Sequence, residues 1–540
     1  MKTMWSVTIR TIVALWTLAL EVTAQSNFSN PVFYQDLADV DIMRHGDTFY
    51  YSASTMHFSP GAPILRSFDL VNWEYFSHSV PWLDFTPGPA YNLSGNSAYN
   101  AGIYASFLNY NNQLKTWYWG GCITNDYKTY IYTAASPEGP WSKKNVINSC
   151  YYDCGMLVDD DGTMYVVFLT SWNTKQLYVA QLSADGKEVK RQQVWTTESS
   201  LSYVEGWRMY KRGGSYYILG VHPMDGNIIL KGSSPWGPFT WKWLVRNGGT
   251  LVASARVPRQ GGLVTLPNGT WYHMAFIDAY PGGRLPALAP VDWSTDGWPT
   301  ARLVNGQWGK QYPYPLPPRA VKSIVGTDMF NNTSLGPQYE WNHNPDPAAY
   351  SLTADGLQLR TATVTDNFFM ARNTLTHRIL GPSSTLTIKL DYSKLAEGDR
   401  AGLVLFDYTA GWIGVVRESS SFRVVMWNGI TLSENGWKPK STGAQVASAN
   451  ISSSSGGGGG GSIWLRTKVN VLPGTQQGTF QYSTDGTTFV NLGNAVTIVN
   501  DKIFFMGWRY GVFNFATKAR GGSVMPRFLG AGPVGHAMGK

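Results

Sequence analysis

Three acids share one spacing. Asp39 lies 11 residues before Tyr50, Asp153 lies 11 before Met164 and Glu205 lies 11 before Tyr216, each counted to the aromatic-rich strand that follows. The same count back from Trp117 and Trp271 reaches Ser106 and Gln260, so three of five comparable segments carry a carboxyl at this register. Carboxyls gathered in one place push their pKa values apart. One can then stay protonated while another ionises, which is what acid–base hydrolysis of a glycosidic bond requires. Singly, each acid has a plainer reading. Asp39 in Ala38-Asp39-Val40-Asp41 could be a turn or cap residue, Asp153 could cap a turn before the Asp159-Asp160-Asp161-Gly162 hairpin, and Glu205 before Gly206 could be a solvated loop acid. The common register favours the joint reading.

Elements that repeat are needed to bring such residues together, and the first 300 residues repeat. Gly46-Asp47-Thr48-Phe49-Tyr50-Tyr51, Leu114-Lys115-Thr116-Trp117-Tyr118-Trp119, Asp161-Gly162-Thr163-Met164-Tyr165, Gly213-Gly214-Ser215-Tyr216-Tyr217 and Asn268-Gly269-Thr270-Trp271-Tyr272 each open a turn–strand–strand unit. Five units at intervals of about 50 residues predict a five-bladed β-propeller, whose innermost strands converge on one axis. A generic sandwich with coincidental Tyr-Tyr pairs is the plainer alternative. The propeller is expected over residues 25–312. A proline-rich linker (313–326, with Pro313 to Pro318) and a second all-β unit, a β-sandwich over 327–540, should follow. Ser452 to Ser462 (SSSSGGGGGGS) reads as a mobile loop inside that unit.

Composition narrows the classes. Aromatic residues reach 14% and charged residues only 14%. Such an aromatic surplus is either core or a surface that stacks on the flat faces of sugars. Net charge is +8, but no run of five or six Lys/Arg exists, so a nucleic-acid partner is not expected. Lys2 and Arg10 precede an apolar stretch from Thr11 to Leu20, and Val22-Thr23-Ala24 resembles a cleavage site. Residues 1–24 therefore read as a secretory signal peptide, too short for a membrane span, and the mature chain is expected outside the cell, with no membrane partner and as a monomer. Asn27, Asn92, Asn268, Asn331, Asn332 and Asn450 head N-x-S/T triplets. Of the three cysteines, Cys122, Cys150 and Cys154, at least one must stay free, and Cys150–Cys154 is a plausible bridge. No Cys/His spacing suggests zinc.

The residues quoted carry a resemblance. Ala38-Asp39-Val40-Asp41-Ile42-Met43-Arg44-His45-Gly46-Asp47, Phe58-Ser59-Pro60-Gly61-Ala62-Pro63-Ile64-Leu65, Asp153, Glu205-Gly206, Gln260-Gly261-Gly262-Leu263-Val264 and Asp296-Gly297-Trp298-Pro299 make the chain similar to glycoside hydrolase family 43, in its fungal branch with an appended C-terminal sandwich. The resemblance covers nearly all the mature chain. It implies a five-bladed propeller and an inverting mechanism. Asp39 would be the general base, Glu205 the general acid, and Asp153 the carboxylate that orients the acid and tunes its pKa. Arg284 would contact the sugar, and Phe58 and Tyr104 would be pocket aromatics. It implies an exo-acting α-L-arabinofuranosidase on arabinoxylan, including doubly substituted xylose, with an exo-β-1,4-xylosidase as the runner-up. A non-catalytic polysaccharide-binding protein is the alternative from another class. No redox cofactor is implied. Many members carry a His before Gln-Gly-Gly, near an axial calcium; here Arg259 stands in its place, and a guanidinium cannot ligate a cation. Val40 also replaces the usual Pro after the base, and Tyr104-Ala105-Ser106 replaces the usual Trp-Ala-Pro.

Overall fold

Gly213 and Gly214 illustrate how the local sequence folds. Both adopt positive φ (55° and 77°), as a two-residue type I′ hairpin requires, and they join Glu205–Arg212 to Ser215–His222. The computed structural model describes residues 27–223, 225–419, 421–451, 461–474 and 477–533. The signal-peptide segment and most of the Ser452–Ser462 run lie outside the described residues.

Five four-stranded antiparallel sheets follow in chain order. Blade I comprises Asp41–His45, Thr48–Ser52, Gly61–Ser67 and Trp73–Val80. Blade II comprises Ile103–Asn111, Thr116–Ile123, Lys128–Ala134 and Ser142–Ile147. Blade III comprises Tyr152–Val158, Met164–Leu169, Gln176–Leu182 and Glu188–Thr196. Blade IV comprises Glu205–Arg212, Ser215–His222, Gly226–Gly232 and Thr240–Arg246. Blade V comprises Arg259–Thr265, Trp271–Asp278, Arg284–Trp293 and Pro299–Ala301. The expected five-bladed propeller is therefore the fold.

Much of the aromatic surplus lies in the cores between blades. Alternation along one strand sends Trp117 and Trp119 to the core shared by blades I and II, and Tyr118 to the core shared by II and III. Trp207 and Ile218 pack between blades III and IV, and Ile42, Phe49 and Met274 between V and I. The ring is closed by the start of the chain. Asn27–Ser29 pairs with Gln311–Pro313, and the Val32 and Leu37 amides donate to the Pro286 and Arg284 carbonyls of blade V (2.9 Å each).

Segment 313–326 is tied down along blade I. Pro313 ends the strand just described, the Arg319 amide donates to Asp69 (2.7 Å) and the Lys322 amide to Glu74 (2.9 Å). Beyond it two large sheets stack as a sandwich around Leu386, Ile388, Leu390, Leu403, Leu405, Ile413 and Leu465. The sandwich is welded to the propeller. Phe58–Ser59, from a blade I loop, is the edge strand of one sandwich sheet, paired with Tyr339–Asn342.

That pairing corrects the reading of Phe58 as a pocket aromatic. Phe58 is buried at the domain interface, with the Arg509 guanidinium 3.5 Å above its ring. Its flanking backbone is committed to a sheet, so its ring faces the sandwich core and not the sugar site.

The cysteine expectation is also corrected. Cys122 and Cys150 form the disulfide, with Cα atoms 5.0 Å apart, and Cys154 is a buried free thiol. Cys150 precedes the innermost strand of blade III, whereas Cys154 lies within it and points its thiol at the Gly120 carbonyl (3.7 Å). The Thr129 hydroxyl, bonded to the Ser149 carbonyl (2.7 Å) and the Tyr151 amide (2.8 Å), brings Cys150 onto blade II beside Cys122. Among the sequons, Asn27, Asn268, Asn331, Asn332 and Asn450 are exposed, whereas Asn92 is half-buried and accepts from Asn344.

Candidate active site

Four of the five innermost strands (all but blade I) are interrupted near their start by a register shift. Such bulges re-aim side chains, and here they turn them toward the mouth of the channel. Asp39, Asp153 and Gln260 have positive φ (56°, 51° and 54°), and so does Gly206 (66°). Non-glycine residues at such angles are strained and concentrate at functional sites. The shared count of 11 is thus approximate: Glu205 stands one residue ahead of the positive-φ position that Asp39 and Asp153 occupy. Ser106 turns elsewhere, accepting a bond from Trp119 Nε1 in the inter-blade core (3.1 Å).

The structure gathers Asp39, Asp153, Glu205, Tyr104 and Arg284 around one pocket of about 650 Å³. Each acid is held differently. Asp39 is clamped by Arg284 Nη1 on Oδ1 and by the Ser54 hydroxyl on Oδ2 (2.6 Å each). Asp153 Oδ2 accepts from the Gly206 amide (3.1 Å), which couples it to the residue after Glu205. Glu205 Oε2 accepts from the Tyr203 hydroxyl (2.7 Å). Burial pushes Glu205 above the usual carboxylate range, against the pull of Tyr203 and Arg259. Burial pushes Asp153 up as well, reinforced by the charges of Glu205 and Asp39. Burial and mutual repulsion thus both favour the protonated form at Asp153, and burial favours it at Glu205. Glu205 is the more accessible of the two: it is half-buried while Asp153 is 8% exposed.

Residues without a sequence register complete the wall. Tyr152, Tyr203, Asp278 and Tyr280 come from the blades, and Lys502 and Phe505 come from the sandwich. Arg284 Nη2 donates to the Phe505 carbonyl (3.1 Å), and Asp36 ties the Arg284 amide (2.7 Å) to the Gly507 amide (2.9 Å). The sandwich thus forms one side of the site. Tyr104 donates its hydroxyl to the Asn100 carbonyl (2.8 Å) and presents its ring to the pocket. Trp172 and Tyr127 stand on the rim, 61% and 55% exposed. Arg259 lines the pocket and is paired with Asp278 (2.6 Å).

A propeller whose channel mouth holds three carboxyls, one clamped by arginine and two pushed toward the protonated form by burial, belongs to the class of carboxylate-based glycoside hydrolases. Residues 28–299 match the glycosyl hydrolases family 43 and residues 327–525 match the β-xylosidase C-terminal concanavalin A-like domain; the chain belongs to family 43. It is 28% identical to a β-xylosidase of Formosa agariphila, over 92% of this chain and 89% of that one. It is also 28% identical to a non-reducing-end α-L-arabinofuranosidase of Bacteroides ovatus, over 73% and 76% of the two chains. A solved family 43 enzyme, engineered at its active site to display both endo-xylanase and exo-arabinofuranosidase activity, superposes with a TM-score of 0.88 at 40% identity, over 94% of this chain and 99% of that one.

Proposed function

We propose that this glycoside hydrolase is an inverting, exo-acting α-L-arabinofuranosidase that removes arabinose from arabinoxylan, including from doubly substituted xylose. The observation that carries the reading is the pocket itself, which gathers a carboxylate clamped by Arg284 with two carboxyls that burial pushes toward the protonated form. In this mechanism Glu205 gives its proton to the glycosidic oxygen as the bond to the anomeric carbon breaks. Water attacks that carbon from the opposite face and loses a proton to Asp39. Asp153 holds Glu205 in place through the Gly206 amide and keeps its proton affinity high. Arg284 orients Asp39 and contacts the sugar. The exposed rings of Trp172 and Tyr127 suit stacking on the polymer outside the pocket. Similarity to an enzyme described as having exo-arabinofuranosidase activity supports the choice of sugar. We further place the mature enzyme outside the cell, on the strength of the signal-peptide pattern.

An exo-β-xylosidase is the second reading, favoured by the alignment over 92% of the chain with a protein named β-xylosidase. Chromatography of products from wheat-type arabinoxylan and from xylo-oligosaccharides separates the two. Arabinose from the first substrate supports the proposal, and xylose from the second alone replaces it. Binding without any released sugar would leave a polysaccharide-binding protein.

A further inference from the structure

Beneath the three acids the propeller axis is filled by a side chain. Arg208, on the innermost strand of blade IV, is 1% exposed. Its Nη1 donates to the carbonyls of Cys154 and Trp207 (2.8 Å each), and its Nη2 to those of Asp39 (3.0 Å) and Val40 (3.3 Å). Its Nε lies 2.9 Å from Asp41 Oδ1, and Asp41 Oδ2 accepts from the Leu108 amide of blade II (2.7 Å). One guanidinium therefore joins blades I, III and IV, and reaches blade II through Asp41. Gly155 makes room for it: a Cβ there would lie 2.5 Å from the Trp207 carbonyl oxygen and 3.0 Å from Arg208 Cδ. Below Arg208 the channel widens again into a cavity of about 300 Å³ lined by all five blades.

The carbonyls it binds belong to the site. Asp39 is itself an acid, Cys154 follows Asp153, and Trp207 lies two residues after Glu205. Backbone carbonyls converging on a central positive charge are what an axial calcium would demand. The residues here do not fit the ion: the carbonyls are already taken by a cation of the chain's own. Among the described residues no group of three His, Cys, Asp or Glu side chains is placed to hold a metal. We infer that Arg208 takes the place of an axial metal ion, as a positioning residue that fixes the three acids relative to one another and supplies the positive charge beneath them. The charge pulls against burial and carboxylate repulsion at Asp153, so it limits how far that carboxyl rises.

The inference rests on the hydrolase reading, and its test separates the two. The pH profile of kcat/KM on an aryl arabinofuranoside is compared for wild type, Arg208→Met and Arg208→Lys, with and without EDTA. Loss of the charge in Arg208→Met should move the acid limb up by about 1 pH unit, because carboxyls that must ionise then do so less readily. It should lower kcat about 100-fold with KM little changed, as misplaced catalytic groups do. Arg208→Lys keeps a charge but cannot reach all the carbonyls, so kcat should fall while the limb stays. EDTA should leave the wild type unaffected. A folded Arg208→Met with wild-type profile and kcat, or wild-type activity lost to EDTA and restored by calcium, overturns the inference. Should Arg208→Met fail to fold, Arg208→Lys decides: a displaced limb or full wild-type kcat overturns it. A wild type without glycosidase activity defeats the underlying reading instead.

Discussion

The bond from Tyr203 to Glu205 opposes the function proposed for that acid. A hydroxyl donating to a carboxylate favours the ionised form, whereas burial favours the protonated one, and burial is the larger influence. Tyr203 therefore trims a rise that burial creates. Removing it in Tyr203→Phe should raise the Glu205 pKa. The basic limb of kcat/KM, set by loss of the acid's proton, should then move up by about 1 unit, equivalent to ~1.4 kcal/mol. A downward move would contradict the assignment of Glu205 as acid. The same raised pKa has a cost in stability. A carboxyl whose folded pKa exceeds its unfolded value stabilises the fold below the unfolded pKa and loses that contribution as pH rises through the folded one. Glu205→Gln should accordingly melt higher than wild type at pH 7 and show no such gain at pH 4, while losing activity by about 10³-fold. Thermal scans at the two pH values check this.

At the scale of the element, the propeller blade explains both what was legible and what was not. Asp39, Asp153 and Glu205 could be found by counting from aromatic strands because successive blades repeat one hairpin, and inner strands all point their N-terminal ends at the same channel mouth. The count blurred at Glu205 because bulges and hairpin lengths differ between blades. Phe58 misled because its motif lies in the propeller sequence while its strand pairs with Tyr339–Asn342, a partner about 280 residues away. Tyr203 had a signal, two residues from an acid; Phe505 had none, since its place depends on how the sandwich docks. The cysteines failed for a related reason: pairing follows adjacency between blades, not distance along the chain. The bridge closes a span of 28 residues between blades II and III. Cys122→Ser should cost about 3 kcal/mol of stability, seen as a lower melting midpoint that reductant lowers no further. Equal midpoints for wild type and variant would contradict the bridge.

For the whole molecule, propeller and sandwich form one catalytic unit because a charged cluster is buried between them. Glu340 of the sandwich, fully buried, pairs with Arg378 (2.9 Å) and Arg509 (2.6 Å), and lies 3.3 Å from His78 of blade I. Arg378 Nε also donates to the Asp36 carbonyl (2.8 Å), two bonds away from Arg284 and Asp39. Burial alone would raise the Glu340 carboxyl; the two arginines reverse this and hold it below the ordinary range. A depressed carboxylate contributes stability that is present above its unfolded pKa, about 4.3, and is lost as pH falls further. Glu340→Gln strands two buried guanidiniums and should cost roughly 3 kcal/mol or more. Its melting midpoint should fall at pH 7, and the gap to wild type should narrow below about pH 4. Activity should drop with it, because the Phe505–Arg284 side of the pocket depends on the same interface.

The most direct test of the account follows anomeric proton signals by NMR while wild type and Glu205→Gln act on arabinoxylan oligosaccharides. The account predicts that the wild type first releases the β-anomer of arabinofuranose, inverted from the α-linkage, before mutarotation, and that Glu205→Gln releases almost none. Xylose as the first product would contradict the sugar assignment, first release of the α-anomer would contradict a water activated by Asp39, and an active Glu205→Gln would contradict the acid at the centre of the site.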